Sequence, residues 1–227
     1  MAVEIVHQPD LFSAGDPDYR IEPIDPRETY PFLLEIHYAR RIPSISYSFG
    51  LIRQGDLRGV ITYGLPPSPT LCRGVAGPDW TPRVIELNRL CLLENEKNEA
   101  SRLVGGSLKL LPRPTIVVSF ADTAQDHLGV IYQATNFLYT GRSAKRTEWV
   151  IEGMEDLHSK SISDLVQGSE GRRIDALREM FGDRLTHRDR SSKHRYIYLV
   201  GSKSDRRAMR RDLRYPILPY PKRETDD

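Results

Sequence analysis

Three stretches of this 227-residue chain set polar side chains on apolar scaffolding in patterns that can carry chemistry. The first is Glu86-Leu-Asn88-Arg89, inside the apolar run Val84–Leu93. Strand alternation puts 86 and 88 on one face and Arg89 on the other; an edge strand with solvated polar residues is the alternative. The second is Asn98-Glu-Ala-Ser101-Arg102, where a helix begins and free backbone N–H groups make an anion seat. A simple N-cap is the alternative there. The third is Asp122, which ends Thr115–Ala121, the most β-like stretch, with Tyr132 and Gln133 on the helix expected next. Ligands and catalytic groups gather at such strand ends in open α/β sheets. A carboxylate there can accept a proton, or it can cap the following turn.

Rival chemistries lack their signatures. The chain has no Gly-x-Ser-x-Gly, no Walker loop, no His-Glu-x-x-His, no Asp-Pro-Pro-Tyr or Asn-Pro-Pro-Tyr and no Gly-rich cofactor loop after a first strand. Its histidines, at 7, 37, 127, 158, 187 and 194, are too widely spaced for a local metal box.

The elements that must position these residues follow from periodicity and punctuation. Tyr19–Ile24 predicts a strand. Asp25-Pro26 offers an N-cap with Pro at the first helical position, and the helix is expected to reach about Arg41. Ser46–Gln54 and Leu57–Leu65, joined by Gly55-Asp56, predict a hairpin. Residues 66–82 hold five of the sixteen prolines and predict an irregular loop. Val84–Leu93 is a strand, a helix begins at Asn98 and ends at Pro112, and Thr115–Ala121 is a buried strand. Gly129–Leu138 predicts a helix stopped at Gly141. Arg146–Glu152 and Arg195–Val200 are strands, with helices near 160–167 and 171–181 between them.

That order predicts an α/β fold with a single mixed, largely antiparallel sheet flanked by helices, the element order of the GCN5-related acetyltransferases. The expected organisation is an arm over 1–18, a catalytic domain over 19–201 with a helical insertion near 154–190, and a basic extension over 202–227.

The net charge of +2 discourages a nucleic-acid partner until it is resolved along the chain. Residues 1–187 carry −4, residues 188–223 carry +9 and the last four carry −3. The basic segment runs Arg188, Arg190, Lys193, Arg195, then Lys203, Arg206, Arg207, Arg210, Arg211 and Arg214, and few acids interleave. In a helix, 203, 207, 210, 211 and 214 share a face. This is the footprint of phosphate contacts; a solvated surface helix is the alternative. No apolar run approaches the ~18 residues of a membrane span. The N-terminus lacks a signal-peptide pattern, and the two cysteines, Cys72 and Cys91, have no paired spacing. A cytoplasmic protein is expected.

Val-Ile-Glu-Leu-Asn-Arg-Leu (84–90), Asn-Glu-Ala-Ser (98–101), Val-Val-Ser-Phe-Ala-Asp (117–122) and Gly-Val-Ile-Tyr-Gln-Ala-Thr-Asn-Phe-Leu-Tyr-Thr-Gly (129–141) resemble the Mom family of phage DNA-modification proteins. So do Lys-His-Arg-Tyr (193–196) and Arg-Tyr-Pro-Ile-Leu-Pro-Tyr-Pro-Lys (214–222). The likeness covers most of the chain from about residue 20. It implies an acetyltransferase-like fold and conversion of adenine in phage DNA to N6-carbamoylmethyladenine, which resists host restriction enzymes. It also implies a catalytic set of Arg89, Ser101, Asp122, Tyr132 and His37, while the anion seat at the helix start would set Asn98, Ser101 and Arg102 toward the donor. DNA contacts fall to Arg142, Lys145 and Arg146 together with Arg188, Arg190, Lys193, Arg195, Arg206, Arg207, Arg210 and Arg211. Tyr132, Phe137 or Tyr139 would stack on an extruded base.

The donor stays open. An acyl-CoA is implied by the acetyltransferase likeness, but the nearest match to the Arg/Gln-x-x-Gly-x-Gly/Ala loop, Arg102-Leu-Val-Gly105-Gly-Ser107, falls inside the expected helix. An N6-glycyl group and an N6-carbamoylmethyl group are isomers, so a glycyl carrier such as an aminoacyl-tRNA, followed by rearrangement, balances the atoms. Iron is implied by the family alone. Within the cytoplasm of a host cell the expected partners are DNA and, for a glycyl route, tRNA. Two other classes fit less of the pattern: an acyl-CoA N-acyltransferase acting on a protein or small molecule, and a non-catalytic DNA-binding protein.

Overall fold

The computed structural model describes residues 19–222 apart from 95, 126, 145, 156 and 158. The expected arm over 1–18, Lys145 and the side chain of Arg146 lie outside the described set.

The chain opens with β1 (Tyr19–Pro23), followed by two short turns where one long helix is expected. Asp25 caps a 3-10 turn at Pro26–Thr29 with a full capping box to Glu28. A π-helical turn, Phe32–Ile36, then ends at His37, whose N–H donates to the Phe32 carbonyl at 2.8 Å. Only Phe32 and Leu33 of that turn are buried, while Leu34 and Ile36 stay exposed. With so little apolar face to bury, nothing extends the helix to Arg41.

The hairpin of β2 (Tyr47–Arg53) and β3 (Asp56–Gly64) forms as expected. The proline-rich stretch does not stay irregular: Ser68 accepts from the Leu71 N–H, Pro69 takes the first helical position, and α1 (Pro69–Ala76) closes at Gly77, φ 91°. Proline there supports a helix because its missing N–H is an orphan in any case. β4 (Val84–Leu92), α2 (Glu99–Leu110) and β5 (Thr115–Asp122) follow.

The helix expected over 129–138 shortens to α3 (Val130–Ala134). Asn136 turns the chain at φ 61° and releases it into β6 (Leu138–Arg142), where Tyr139 and Thr140 are buried. β7 (Arg146–Ile151), α4 (Ser159–Asp164), α5 (Arg173–Phe181), β8 (Leu185–Arg190), β9 (Lys193–Val200) and α6 (Lys203–Asp212) complete the chain. β8 is not foreseen, because Thr186–Arg190 is polar throughout. Arg214 lies beyond the end of α6.

The main sheet has seven strands in the order β1-β2-β3-β4-β5-β9-β6. β1 through β4 pair antiparallel, and β4 pairs with β5 in parallel. β5 is buried on both faces. Val117 and Ala121 join Leu103, Val104 and Leu108 of α2, while Ile116 and Val118 join Cys72, Val75 and Ala76 of α1 and Met209 of α6. Each such aliphatic side chain is worth about 1.5–3 kcal/mol when fully buried. The expected mixed, largely antiparallel sheet flanked by helices is thus the architecture of the chain, with β7 and β8 forming a separate antiparallel pair.

Two compact units divide the chain. The first holds the described residues up to Ala121, Leu128–Gly141 and those from His194 onward. The second holds Asp122–His127 and Arg142–Lys193, with its own core of Ile151, Ile162, Val166 and Leu177.

Candidate active site

In the first unit, the β4–β5 ladder stops early. Its parallel register runs Val84–Ile116, Ile85–Val117 and Glu86–Val118, yet β4 continues to Leu92 and β5 to Asp122. Beyond Glu86 the strands part, and backbone groups in the opening need other partners. The buried Ser119 hydroxyl takes one of them, donating to the Leu87 carbonyl at 3.0 Å. The Ser119 hydroxyl also stands beside the Tyr132 phenol of α3. Burial pushes the Tyr132 phenol up to about 12 against the help of Ser119, and the nearby Glu86 carboxylate adds to the rise. Tyr132 therefore stays protonated at neutral pH, a hydrogen-bond donor on the rim of this opening. Its ring packs at 5.2–5.3 Å from Tyr196 and Phe137.

A bulge sets the second side of the site. The β3–β4 register shifts between Thr62, opposite Arg89, and Tyr63, opposite Leu87, so Asn88 is the extra residue. Simple alternation over 86–89 therefore does not hold. Asn88 is structural, accepting from Thr62 Oγ1 at 2.6 Å and donating to the Ser44 carbonyl at 2.7 Å. Arg89 donates through Nη1 to the Asn88 carbonyl at 2.7 Å, and its buried Nε has no partner. Burial lowers the Arg89 pKa, opposed by Tyr38 and Glu86 and assisted by Arg41. A guanidinium with an unused, buried N–H is poised to receive an oxygen of a ligand.

His37 belongs to the same neighbourhood. Burial, then the charge of Arg89, lowers it to about 4, so its imidazole is neutral at physiological pH. Its Nδ1 accepts from the Ala39 N–H at 3.1 Å, and its ring stacks on Tyr38 with centroids 4.5 Å apart. Tyr38 is 74% exposed.

At the start of α2, Ser101 donates to the Asn98 carbonyl at 3.4 Å, and Asn98 sits in the left-handed region at φ 70° without a side-chain cap. The Arg102 guanidinium lies 4.7 Å from the Tyr19 ring centroid. Gly105, Gly106 and Ser107 lie inside α2, where buried Ser107 shares a hydrogen bond with Tyr63 at 2.7 Å.

Asp122 ends β5 and belongs to the second unit. Its Oδ1 accepts from Ser191 Oγ at 2.5 Å and from the Ala124 N–H at 3.0 Å; Lys193 Nζ is 3.1 Å from Oδ2. Partial burial raises its pKa, but these three donors prevail and hold it below the usual carboxylate value.

The basic residues separate into distinct groups. Arg188 and Arg190 share Glu148, at 2.7 and 3.8 Å, and Arg142 is exposed. Arg195 is not a surface cation: it is buried, donates to Thr140 Oγ1 at 3.0 Å and Thr140 O at 2.8 Å, and covers the Tyr215 ring at 3.3 Å. Lys203, Arg206, Arg207 and Arg210 are exposed on α6 without an acid in ion-pair range among the described residues, while Arg211 pairs with Asp212 at 2.9 Å. The stacking candidates separate too. Phe137 and Tyr139 are core residues, Tyr139 sharing a 2.9 Å hydrogen bond with His194 Nδ1, which leaves Tyr132 at the opening.

Ser119 and Tyr38 are candidate site residues that sequence reading does not single out for chemistry. Ser119 is the one polar residue inside an otherwise apolar β5 segment, and that interruption is its signal. Among the described residues, no group of three or more His, Cys, Asp or Glu is arranged to hold a metal, so the iron implied by the family resemblance has no ligand set there. No helix among them is long and apolar enough to cross a membrane.

Comparison with known proteins extends these observations. The chain is 29% identical over 224 residues to the methylcarbamoylase Mom of Escherichia phage Mu, covering 96% of this chain and 90% of that one. Among solved structures it is similar to a putative acetyltransferase from Salmonella typhimurium with its cofactor acetyl-CoA (9% identity, 82% and 96% of the two chains, TM-score 0.44). It is also similar to a Bacillus subtilis acetyltransferase in complex with CoA (13% identity, 80% and 98%, TM-score 0.43). The model of the Mom protein family matches residues 18–222, nearly the whole chain, and the protein belongs to that family.

Proposed function

We propose that this chain is a DNA-modifying transferase that converts adenine N6 in phage DNA to N6-carbamoylmethyladenine and so protects that DNA from host restriction. Membership of the Mom family and the relative named methylcarbamoylase support the reading. The structural observation that carries it is the opening between β4 and β5, rimmed by the Tyr132 phenol and by the unpartnered Arg89 Nε.

The adenine N6 lone pair is delocalised into the ring, and a duplex hides it, so the base is extruded before reaction. Tyr132 meets the base and Arg89 holds an oxygen of the donor. Neutral His37 keeps a second positive charge away from Arg89, and Ser101, with Asn98 and Arg102, orients the donor from the start of α2. When N6 forms its bond to the donor carbonyl carbon, the bond from that carbon to its carrier breaks, the carrier leaves with a proton, and one N6 proton departs; the family resemblance gives its acceptance to Asp122, whose carboxylate is held ionised by Lys193 and Ser191. A glycyl carrier supplies the two carbons and the nitrogen of the product after rearrangement. On the first unit phosphates are gripped by the cations of α6, Arg211 included; on the second, Arg142, Lys145, Arg146, Arg188 and Arg190 offer phosphate contacts.

Mass spectrometry of nucleosides from cells expressing the protein tests this. A deoxyadenosine carrying the carbamoylmethyl mass is expected with the wild type and is expected to vanish with Tyr132→Phe and with Asp122→Asn. Unmodified DNA from wild-type cells overturns the reading. Feeding labelled glycine tests the donor, since an adduct free of its carbons and nitrogen rules out the glycyl route.

A further inference from the structure

A CoA thioester is one of the two donor classes implied by family resemblance, and its diphosphate would require a helix start with accessible N–H groups and net positive potential. At the start of α2 a carboxylate occupies the first turn. Glu99 is the first residue of the helix and only 1% exposed. Its Oε1 accepts from the Tyr19 hydroxyl at 3.1 Å, and its Oε2 is buried with no hydrogen-bond partner among the described residues. A carboxylate thus sits within the first turn, where it competes with an incoming anion for the positive end of the helix.

Two guanidiniums nearby lie against the Tyr19 ring. Arg53 lies 4.9 Å and Arg102 4.7 Å from the Tyr19 ring centroid. Arg53 is also held by Glu96 at 2.5 Å and stands 3.9 Å from Glu99. Two acids therefore face Arg53, and the Tyr19 ring lies against both guanidiniums. Deeper in the helix, a Cβ on Gly106 would come within 2.2 Å of Ile21 Cδ1, so that glycine serves β1–α2 packing and not a phosphate cradle.

We infer that Glu99 and Tyr19 close the anion seat at the start of α2, so that this protein takes its donor from a carrier that is not recognised through a diphosphate at that helix. The inference concerns the donor and does not depend on which acceptor is modified.

Calorimetric titration of the full chain with acetyl-CoA, and separately with inorganic pyrophosphate, tests it without any turnover. Neither ligand is expected to saturate the wild type below about 1 mM. Glu99→Gln, shown folded by its thermal melt, is expected to bind pyrophosphate on the order of tenfold more tightly, because one charge a few ångströms from a multiply charged ligand is removed. Saturable acetyl-CoA binding by the wild type below that concentration overturns the inference. So does a folded Gln variant with unchanged pyrophosphate affinity. The wild-type titration stands whether or not the variant folds, and neither titration reads the nucleoside product.

Discussion

Lys193 Nζ stands 3.1 Å from Asp122 Oδ2, and Ser191 Oγ donates to the other carboxylate oxygen at 2.5 Å. Both partners come from the stretch leading into β9, so the terminal carboxylate of β5 is fixed before any ligand arrives. These donors hold the Asp122 pKa below its ordinary value, and the linkage has a definite sign. The carboxylate contributes stability that is fully present above the unfolded value of about 3.9 and is lost as pH falls through the lower folded value. Lys193→Met is expected to raise the acid-unfolding midpoint while leaving the melting temperature at pH 7 less affected than Asp122→Ala. Thermal melts between pH 2 and 7 read this, and an unchanged acid midpoint would show that the ion pair contributes nothing.

His37 gives a second pH dependence, in a different window. Its folded value of about 4 lies below an unfolded value of about 6.5, so stability is present above pH 6.5 and falls as the pH drops toward 4. The loss is at most about 3 kcal/mol. His37→Gln is expected to flatten that part of the stability curve, as measured by urea unfolding at pH 4.5 and 7.5. The wild-type modification rate should show no inflection near 6.5 from this residue.

The buried Arg195 predicts a stability effect where a surface cation would have none. Its guanidinium lies over Tyr215 and donates twice to Thr140, while the Arg214 N–H donates to the Val75 carbonyl and the Leu218 N–H to the Tyr139 carbonyl. The segment after α6 is therefore strapped along the first unit. Tyr215→Ala is expected to cost about 1–3 kcal/mol through lost cation–π contact and burial. Tyr215→Phe should be close to neutral, and Arg195→Lys should be destabilising because an ammonium cannot reproduce the planar fork on Thr140. Denaturant unfolding distinguishes the three.

Legibility in the sequence followed the strength of local patterning. The Gly55-Asp56 hairpin, β5 and the α2 start carry strong signals, and each forms within a residue or two of expectation. The segment after Asp25 misleads because Phe32, Leu33 and Ile36 have helical spacing but Ile36 has nothing to pack against. β8 is invisible because it is a polar strand recognised only through pairing with β7, Glu148 opposite Arg188 and Trp149 opposite His187. Among the candidate residues, Arg89 and Tyr132 stand out as polar residues on apolar elements, whereas His37 enters through the family resemblance. Ser119 is not, because its role depends on β4 and β5 parting beyond Glu86, which no local pattern encodes. Arg195 reads as one more cation in a basic run, since burial of a strand residue against a later aromatic is a tertiary fact.

The cations of α6 predict the converse of Arg195. Capping by Ser202 and Asp205 and the buried Met209 hold the helix, and none of these depends on Arg206, Arg207 or Arg210. Replacing those three by Ala is therefore expected to leave the melting temperature within about 2 °C, because exposed unpaired cations contribute little to folding. If they meet DNA phosphates, each lost contact lowers the slope of log K against log salt by about 0.9. The triple variant should show a slope smaller by about 2–3, with weaker binding to all duplexes alike, since phosphate contacts carry no sequence information. Filter or fluorescence titrations at 50–300 mM salt measure it. An unchanged slope in a folded variant would place the nucleic-acid surface elsewhere on the chain.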